Sequence, residues 1–325
     1  MDTRKIFEIN TPTAFKSLAL DTFKFQYQNN KIYRDFCTHL GKNADNVESV
    51  SQIPFLSIGF FKSKKIFCGN ADPEMLFESS GTTGSITSKH HIKDSSLYQQ
   101  SYLRAFEHFY GPIGNYCVLA LLPSYLERTG SSLVYMVNDF IARSNSAESG
   151  FYLNDIAALR KKLIALNAKK TKVLLIGVSF ALLDMAENQE LKLPNTIVME
   201  TGGMKGRKKE MIREELHAVL KKGFGTTRIH SEYGMTELLS QAYSQGQGVF
   251  KAPPWMKVLI RDPEDPLTLQ SPNKTGGVNI IDLANLWSCS FIATQDLGKI
   301  HESGSFEILG RFDNSDIRGC NLMVL

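Results

Sequence analysis

The apolar and polar positions of this chain follow three rhythms in turn, and each change of rhythm marks a change of structure. From residue 1 to about 70, apolar residues recur at helical spacing. Phe15, Leu18, Phe23 and Tyr27 form one stripe, and Ile32, Tyr33, Phe36 and Leu40 a second. This stretch predicts a helical lead-in. Pro54 and Gly59 interrupt it, and Phe60-Phe61 with Lys64-Lys65-Ile66-Phe67 predict a short strand. Asp94-Ser95-Ser96 then opens a helix to about Phe109, because Asp and Ser accept hydrogen bonds from free backbone N–H groups, and Gly111-Pro112 ends it.

Between Tyr116 and about Thr201, short continuous apolar runs alternate with amphipathic stretches. Cys117 to Leu122 reads as a buried strand and Ser131 to Ala142 as a helix. Asn154 is placed to cap a helix carrying Ile156, Leu159, Leu163 and Leu166. Lys172 to Val178 and Thr196 to Glu200 are two further strands, with a helix from about Phe180 to Glu187 between them. Met211, Ile212, Leu216, Val219 and Leu220 form the apolar face of another helix. Strand and helix alternating in this way predict an α/β fold with a mainly parallel sheet flanked by helices. Ligands of such sheets bind beyond the carboxyl ends of the strands, which puts Gly202-Gly203 at a ligand edge.

Beyond Pro253 the segments shorten. Val258–Ile260, Val278–Leu283, Cys289–Ala293, Leu297–Ile300 and Phe306–Leu309 are separated by Gly, Pro, Asp and Asn, the signature of a β-rich subdomain. Three regions follow: 1–70, a helical lead-in; 71–252, an α/β part that binds ligand; and 253–325, β-rich.

Composition narrows the function classes. A net charge of +4, with no long basic run, gives no footprint for nucleic acid or an anionic membrane surface. The N-terminus lacks the apolar core of a signal sequence, and the longest apolar run, Val173 to Leu183, is too short to span a bilayer. A cytoplasmic protein is the expectation. The five cysteines, Cys37, Cys68, Cys117, Cys289 and Cys320, include no C-x-x-C pair, and their odd number argues against a disulfide framework.

The chemistry begins at Phe77 to Ser85, which includes Ser79-Ser80-Gly81-Thr82-Thr83-Gly84. A Ser/Thr/Gly cluster is first of all a turn. It is also suited to wrap a phosphate, since glycines let N–H groups converge and hydroxyls add short donors. It lacks the Gly-Lys-Ser/Thr ending of a Walker A loop. Three more segments accompany it: Tyr233-Gly234-Met235-Thr236-Glu237, Thr294-Gln295-Asp296-Leu297-Gly298 and Gly310-Arg311-Phe312-Asp313. Taken singly, each has a plain structural explanation: a strand-to-turn junction, a turn carboxylate, a solvated arginine.

Together, in this order, the four segments resemble the acyl-adenylate-forming superfamily over about residues 75 to 320. Leu122-Pro123-Ser124-Tyr125-Leu126-Glu127-Arg128, Thr201-Gly202-Gly203-Met204-Lys205-Gly206 and Ile317-Arg318-Gly319-Cys320-Asn321-Leu322 look most like the acyl-protein synthetase family of bacterial bioluminescence. The resemblance implies the large domain of the superfamily, ATP and Mg²⁺ as cofactors, and a fatty acid substrate activated as its adenylate. It also implies transfer of the acyl group to the chain's own cysteine, and an acyl reductase or acyl carrier as partner.

Roles carry over residue by residue. Ser80, Gly81, Thr82, Thr83 and Gly84 would hold the β- and γ-phosphates as they leave. Thr236 would touch the α-phosphate, and Glu237 would supply an oxygen ligand for Mg²⁺. Gly202, Gly203, Tyr233 and Gly234 would line the adenine site, Asp296 would accept from the ribose hydroxyls, and Arg311 would contact ribose or phosphate. Cys320 would be the acyl acceptor, its thiolate stabilised by Arg318 and Arg311, with Gly319 leaving room beside it. The step from Arg311 to Cys320 spans at most ~30 Å, within reach of a shared adenylate. Cys289 reads as core, and Tyr125, Leu126, Ser132 and residues near Thr201 as the acyl pocket.

Two departures stand out. Thr87 occupies the place where the superfamily's phosphate loop carries a lysine, with Lys89 two residues on. The chain also ends soon after Asp313, where most members continue into a small C-terminal domain bearing a catalytic lysine; the acyl-protein synthetases share the short ending. Lys89, Lys205 and Arg207 are the candidate replacement cations. Three alternatives accompany this reading. One is an acyl-CoA or carrier-protein ligase of the same superfamily. Another is a serine hydrolase, with Ser179 in the elbow Gly177-Val178-Ser179-Phe180-Ala181 and His301 as its base. The third is a nucleotide-binding protein without turnover.

Overall fold

The computed structural model of the chain describes residues 1–80, 86–123, 130–188, 190–202 and 211–312. The lead-in is helical: α1 (Pro12–Asn29) and α2 (Lys31–His39) are capped by the side chains of Thr11 and Asn30. Strand β1 (Leu56–Ser57) and the single turn α3 (Phe60–Ser63) follow. The strand expected across residues 60–67 does not form. The nearby sheet position is already taken by β1, which pairs with Ile292 and Ala293, and Gly59 starts a helical turn instead. That turn buries Phe61 edge-on against the ring of His90, 5.5 Å between centroids.

A two-stranded hairpin, β2 (Met75–Glu78) and β3 (Lys89–Ile92), brackets residues 79–88. Helix α4 (Ser95–Tyr110) begins where expected, the Asp94 carboxylate accepting from the N–H groups of Ser96 and Leu97. Then come β4 (Cys117–Leu121), α5 (Ser132–Arg143), β5 (Gly150–Phe151) and α6 (Ile156–Ala168). The cap of α6 is Asp155, which accepts from Ala158 N at 2.9 Å, rather than Asn154 one residue earlier. Next are β6 (Val173–Val178), α7 (Ser179–Asn188), β7 (Thr196–Thr201), α8 (Arg213–Phe224) and β8 (His230–Tyr233). Met211 and Ile212 fall outside α8: Ile212 is its N-cap in extended conformation and is 63% exposed. Leu216 and Leu220 form the buried face, and Gly225 closes the helix in the left-handed conformation.

The remaining strands are β9 (Ala242–Ser244), β10 (Val249–Lys251), β11 (Met256–Arg261), β12 (Thr275–Asp282), β13 (Phe291–Ile300) and β14 (Phe306–Arg311). The two segments expected at 289–293 and 297–300 are one strand, β13, bulged against its neighbours on both sides. Among the described residues these strands join a single ladder. Its order is β11-β12-β13-β14-β10-β9-β8-β7-β6-β4-β5, with β1 beside β13. Neighbours from β5 to β8 are parallel, and those from β8 to β11 antiparallel. The fold is therefore α/β, with a parallel half and an antiparallel C-terminal half.

This topology positions the chemistry. Registers Val178↔Thr201 and Thr201↔Glu232 bring the carboxyl ends of β6, β7 and β8 side by side. Ser179, Gly202 and Gly234 leave the sheet at that one edge. Of the strands below them β6 is a fully buried apolar run, and Val198 and Met199 of β7 are buried beside it, so the edge sits on a packed core.

Candidate active site

Tyr233 is the last residue of β8, and its hydroxyl donates to Asp296 Oδ2 at 2.6 Å. Burial and then the Asp296 carboxylate push the Tyr233 phenol well above its usual range, so it remains a donor. Arg311 Nε reaches Asp296 Oδ1 at 3.2 Å across the β13–β14 pairing. Asp296 is thus a strand residue rather than part of a loop, with its carboxylate held from two sides. Its own N–H donates to Thr294 Oγ1. Beneath lies Arg261, buried and spread over the carbonyls of Val278 and Thr294 and the side chain of Asn279.

Gly202 follows β7 with φ of +67°, a conformation that favours glycine. Its carbonyl accepts from Ser179 Oγ, which also donates to Glu200 Oε2 at 3.0 Å. Glu200 and Glu232 are neighbouring buried carboxyl groups whose pKa values move in opposite directions. Burial raises Glu200, but hydrogen bonds from His217 and Ser231 and the Arg213 guanidinium outweigh it and leave its pKa below normal. Burial lifts Glu232 to about 7; a hydrogen bond from Thr201 opposes the rise, and the nearby Glu200 charge adds to it. Glu232 also crowds Gly234, where a Cβ would lie 2.4 Å from Glu232 Oε1.

The Thr236–Glu237 turn is fixed through its backbone. His90 Nδ1 lies 2.8 Å from the Thr236 carbonyl, and its Nε2 lies 2.8 Å from Ser288 Oγ. A carbonyl can only accept, so Nδ1 carries the proton and Nε2 accepts from Ser288. Burial lowers the ring's pKa to about 4, which keeps it in that neutral state. The Glu237 carbonyl accepts from Asn285 Nδ2 at 2.7 Å. The Glu237 carboxyl is buried and raised, chiefly by that burial, while Ser88, Arg311 and Lys62 oppose the rise. Ser88 in turn exchanges hydrogen bonds with Ser79. The hairpin of the Ser/Thr/Gly segment and the Thr236–Glu237 turn are therefore one connected assembly.

Of the residues singled out in the sequence, Ser80, Gly202, Tyr233, Gly234, Thr236, Glu237, Asp296 and Arg311 are described. Gly81, Thr82, Thr83, Gly84, Gly203 and Cys320 lie outside the described residues, as do Tyr125, Leu126, Lys205, Arg207, Asp313 and Arg318. Ser80 is exposed, two residues beyond β2. His90, Ser88, Glu232 and Lys62 were not anticipated; adjacent His90 and His91 look alike in the sequence, and the burial along β3 is what marks His90 as inward-facing. The hydrolase arrangement is not assembled. Ser179 is buried with its hydroxyl committed to Glu200 and Gly202, while His301 Nε2 pairs with Glu307 at 2.9 Å on the antiparallel half.

As for metal, no group of three or more His, Cys, Asp or Glu among the described residues could hold an ion. A single inward carboxylate, Glu237, fits the manner in which Mg²⁺ is held by one or two carboxylates together with substrate phosphates.

No family model matches the chain. It is 22% identical over 331 residues to the long-chain-fatty-acid–luciferin-component ligase of Aliivibrio fischeri, covering 94% of this chain and 86% of the relative. Among solved structures it resembles ATP-bound MatB from Rhodopseudomonas palustris, with a TM-score of 0.55 and 20% identity over 73% of this chain. It spans only 47% of that protein, about half its length. A 2-hydroxyisobutyryl-CoA ligase in the postadenylation state matches 93% of this chain and 68% of its own, at a TM-score of 0.68 and 10% identity. The fold of this chain is the one these solved ligases share.

Proposed function

We propose that the chain activates a carboxylic acid, a fatty acid by its likeness to the Aliivibrio ligase, with ATP, and passes the acyl group to the thiol of Cys320. The assembly of Tyr233, Asp296 and Arg311 beside the Thr236–Glu237 turn carries the first half of this reading. A carboxylate with both oxygens held by Tyr233 and Arg311 is preorganised to accept, through its remaining lone pairs, from a pair of ribose hydroxyls. To Thr236 and Glu237, on the turn beside it, we assign contact with the α-phosphate and with Mg²⁺. The ion would neutralise phosphate charge there.

In the first step an oxygen of the substrate carboxylate bonds to the α-phosphorus, the bond to the β-phosphate oxygen breaks, and pyrophosphate leaves with that electron pair. In the second, the thiolate attacks the acyl carbon and AMP departs. Burial bears on which thiol this is. Cys37, Cys68, Cys117 and Cys289 are all buried free thiols. Burial raises Cys37 and Cys68 to about 12 and Cys289 well above its usual range, which keeps them protonated and unreactive. Of the five cysteines, Cys320 is left. An acyl reductase or carrier would take the group onward. Among the described residues no helix is long and apolar enough to cross a membrane.

The test is carboxylate-dependent ATP–pyrophosphate exchange together with labelling by a radioactive fatty acid. We expect exchange in the wild type and in Cys320→Ala, with labelling in the wild type alone. Exchange absent across a broad panel of carboxylic acids would overturn the adenylation reading, and labelling that survives Cys320→Ala would overturn the assignment of the thiol.

A further inference from the structure

Helix α1 buries a stripe that includes Phe15, Leu18, Phe23 and Gln26, so the polar Gln26 stands where helical spacing calls for an apolar residue. Asn30, four residues on and on the same face, ends α1 and caps α2. Both side chains are fully buried. A buried amide costs stability unless its groups are paired. Among the described residues those of Gln26 are paired with one segment, the loop 285–290 between β12 and β13. Gln26 Nε2 donates to the carbonyls of Asn285 and Leu286, each at 2.9 Å, and to Ser290 Oγ at 3.1 Å, and its Oε1 accepts from the Ser290 N–H at 3.0 Å. Asn30 divides its groups. Its Oδ1 accepts from the Tyr33 N–H at 3.0 Å, which caps α2, and its Nδ2 donates to the Ser288 carbonyl at 2.8 Å. The first long helix thus grips a loop that lies 258 to 264 residues further along the chain.

The same loop carries the groups that fix the Thr236–Glu237 turn. Asn285 Nδ2 donates to the Glu237 carbonyl at 2.7 Å, and the Ser288 hydroxyl donates to His90, which donates to the Thr236 carbonyl. Gln26 holds the backbone of Asn285 and Asn30 that of Ser288, so each polar residue of the helix stands behind one of the two turn carbonyls. Two parallel relays result, Gln26–Asn285–Glu237 and Asn30–Ser288–His90–Thr236. Gln26, Asn30, Asn285, Ser288 and His90 are all buried, and water does not compete for these bonds. Cys68 adds a hold on the middle of the loop, its N–H donating to the Trp287 carbonyl at 2.7 Å. A loop that shifts carries both turn carbonyls with it.

We propose that Gln26 and Asn30 are positioning residues for the Thr236–Glu237 turn: α1 sets the place of the two turn carbonyls through the loop 285–290, and is a supporting part of the site as well as of the core. No proton or charge moves along the relays; their effect is geometric. Without them the loop gains freedom, the turn follows it, and the side chains of Thr236 and Glu237 spend less time at productive distances. The consequence for turnover rests on the adenylation reading, whereas the mechanical coupling of α1 to the turn does not.

Asn30 allows the helix cap and the loop contact to be separated. Serine caps a helix about as well as asparagine but is too short to reach the Ser288 carbonyl, so Asn30→Ser keeps α2 capped and cuts the relay, whereas Asn30→Ala loses both. Gln26→Met cuts the other relay and fills a similar volume. Hydrogen–deuterium exchange of the full chain, followed by mass spectrometry, reads the turn directly through the Leu238 N–H, which is bonded to the Met235 carbonyl. In Asn30→Ser and Gln26→Met the peptide carrying that amide should exchange roughly tenfold faster, with peptides from β6 at the wild-type rate. Unchanged protection of the turn in both variants would overturn the proposal. So would an equal loss of protection in β6, which marks a general loss of stability. ATP–pyrophosphate exchange then reads function: kcat should fall roughly tenfold in Asn30→Ser and Asn30→Ala alike, with KM for the carboxylic acid within about twofold of the wild type. A merely structural role predicts instead that serine restores what alanine loses, with activity following the melting temperature, and that result also overturns positioning. If the wild type shows no exchange with any acid, the adenylation reading fails and the deuterium measurement alone decides the coupling.

Discussion

The side chains of Tyr233 and Asp296 meet at 2.6 Å across the junction of the parallel and antiparallel halves of the sheet. Tyr233 ends β8 and Asp296 lies in β13, so the bond is set by the whole strand order and by no local segment. Removing the hydroxyl in Tyr233→Phe leaves a buried carboxylate one donor short. We expect a stability loss of about 1.5–3 kcal/mol, read by chemical denaturation, and a several-fold rise in KM for ATP. Asp296→Asn should raise KM further, because the amide offers one acceptor oxygen in place of two. A KM for ATP unchanged in both variants would remove Asp296 from the nucleotide site.

How much of this was legible follows from the range of each interaction. The cap at Asp94 and the buried runs of β4, β6 and β7 were readable because their causes lie within a few residues. The segment 60–67 was misread because apolar residues in a short run suit a strand or a helical turn equally, and the occupied sheet position decides between them. The merger of two expected segments into β13 was hidden for a similar reason: Asp296 and Gly298 look like turn residues, and pairing with β12 and β14 overrides that preference. In the site, motif residues such as Tyr233 and Glu237 could be named from the sequence. Their supports, His90 and Lys62, could not, since they come from distant parts of the chain.

His90 offers a sharper experiment than a simple deletion. The amide nitrogen of asparagine falls near imidazole Nδ1, whereas the glutamine amide falls near Nε2. His90→Asn should keep the bond to the Thr236 carbonyl and lose only Ser288, and His90→Gln should do the reverse. If His90 positions the Thr236–Glu237 turn, the asparagine variant retains kcat within a few-fold, and the glutamine variant falls by roughly one to two orders of magnitude. A purely structural role predicts comparable losses in both, in proportion to their drop in melting temperature.

Gly277 predicts a steric effect with a defined direction. A Cβ there would lie 2.4 Å from the Arg261 guanidinium carbon, and that guanidinium is pinned by three acceptors. Gly277→Ala must therefore displace either β12 or the buried arginine. A loss of about 1–3 kcal/mol is expected in denaturant titration. Arg261→Lys should cost a similar amount by leaving acceptors unpaired, and the double variant should fall short of the sum because both changes act on one contact.

Glu232 gives the chain a pH dependence opposite in sign to that of most acidic residues. Its folded pKa of about 7 lies above the ordinary value of 4.5, so between those two limits the folded state binds more protons than the unfolded state. Its contribution to stability is full below the ordinary value, declines as pH rises through the folded pKa, and is lost above it. Glu200 runs the other way: its lowered pKa favours the fold above the ordinary carboxylate range and ceases to do so as pH falls through the folded value. Glu232→Gln keeps an oxygen to accept from Thr201 and removes the buried charge. The variant should melt higher than the wild type at about pH 8 and converge with it at about pH 5, where the wild-type carboxyl is protonated in the fold. A constant difference across that range would mean that Glu232 does not titrate in it.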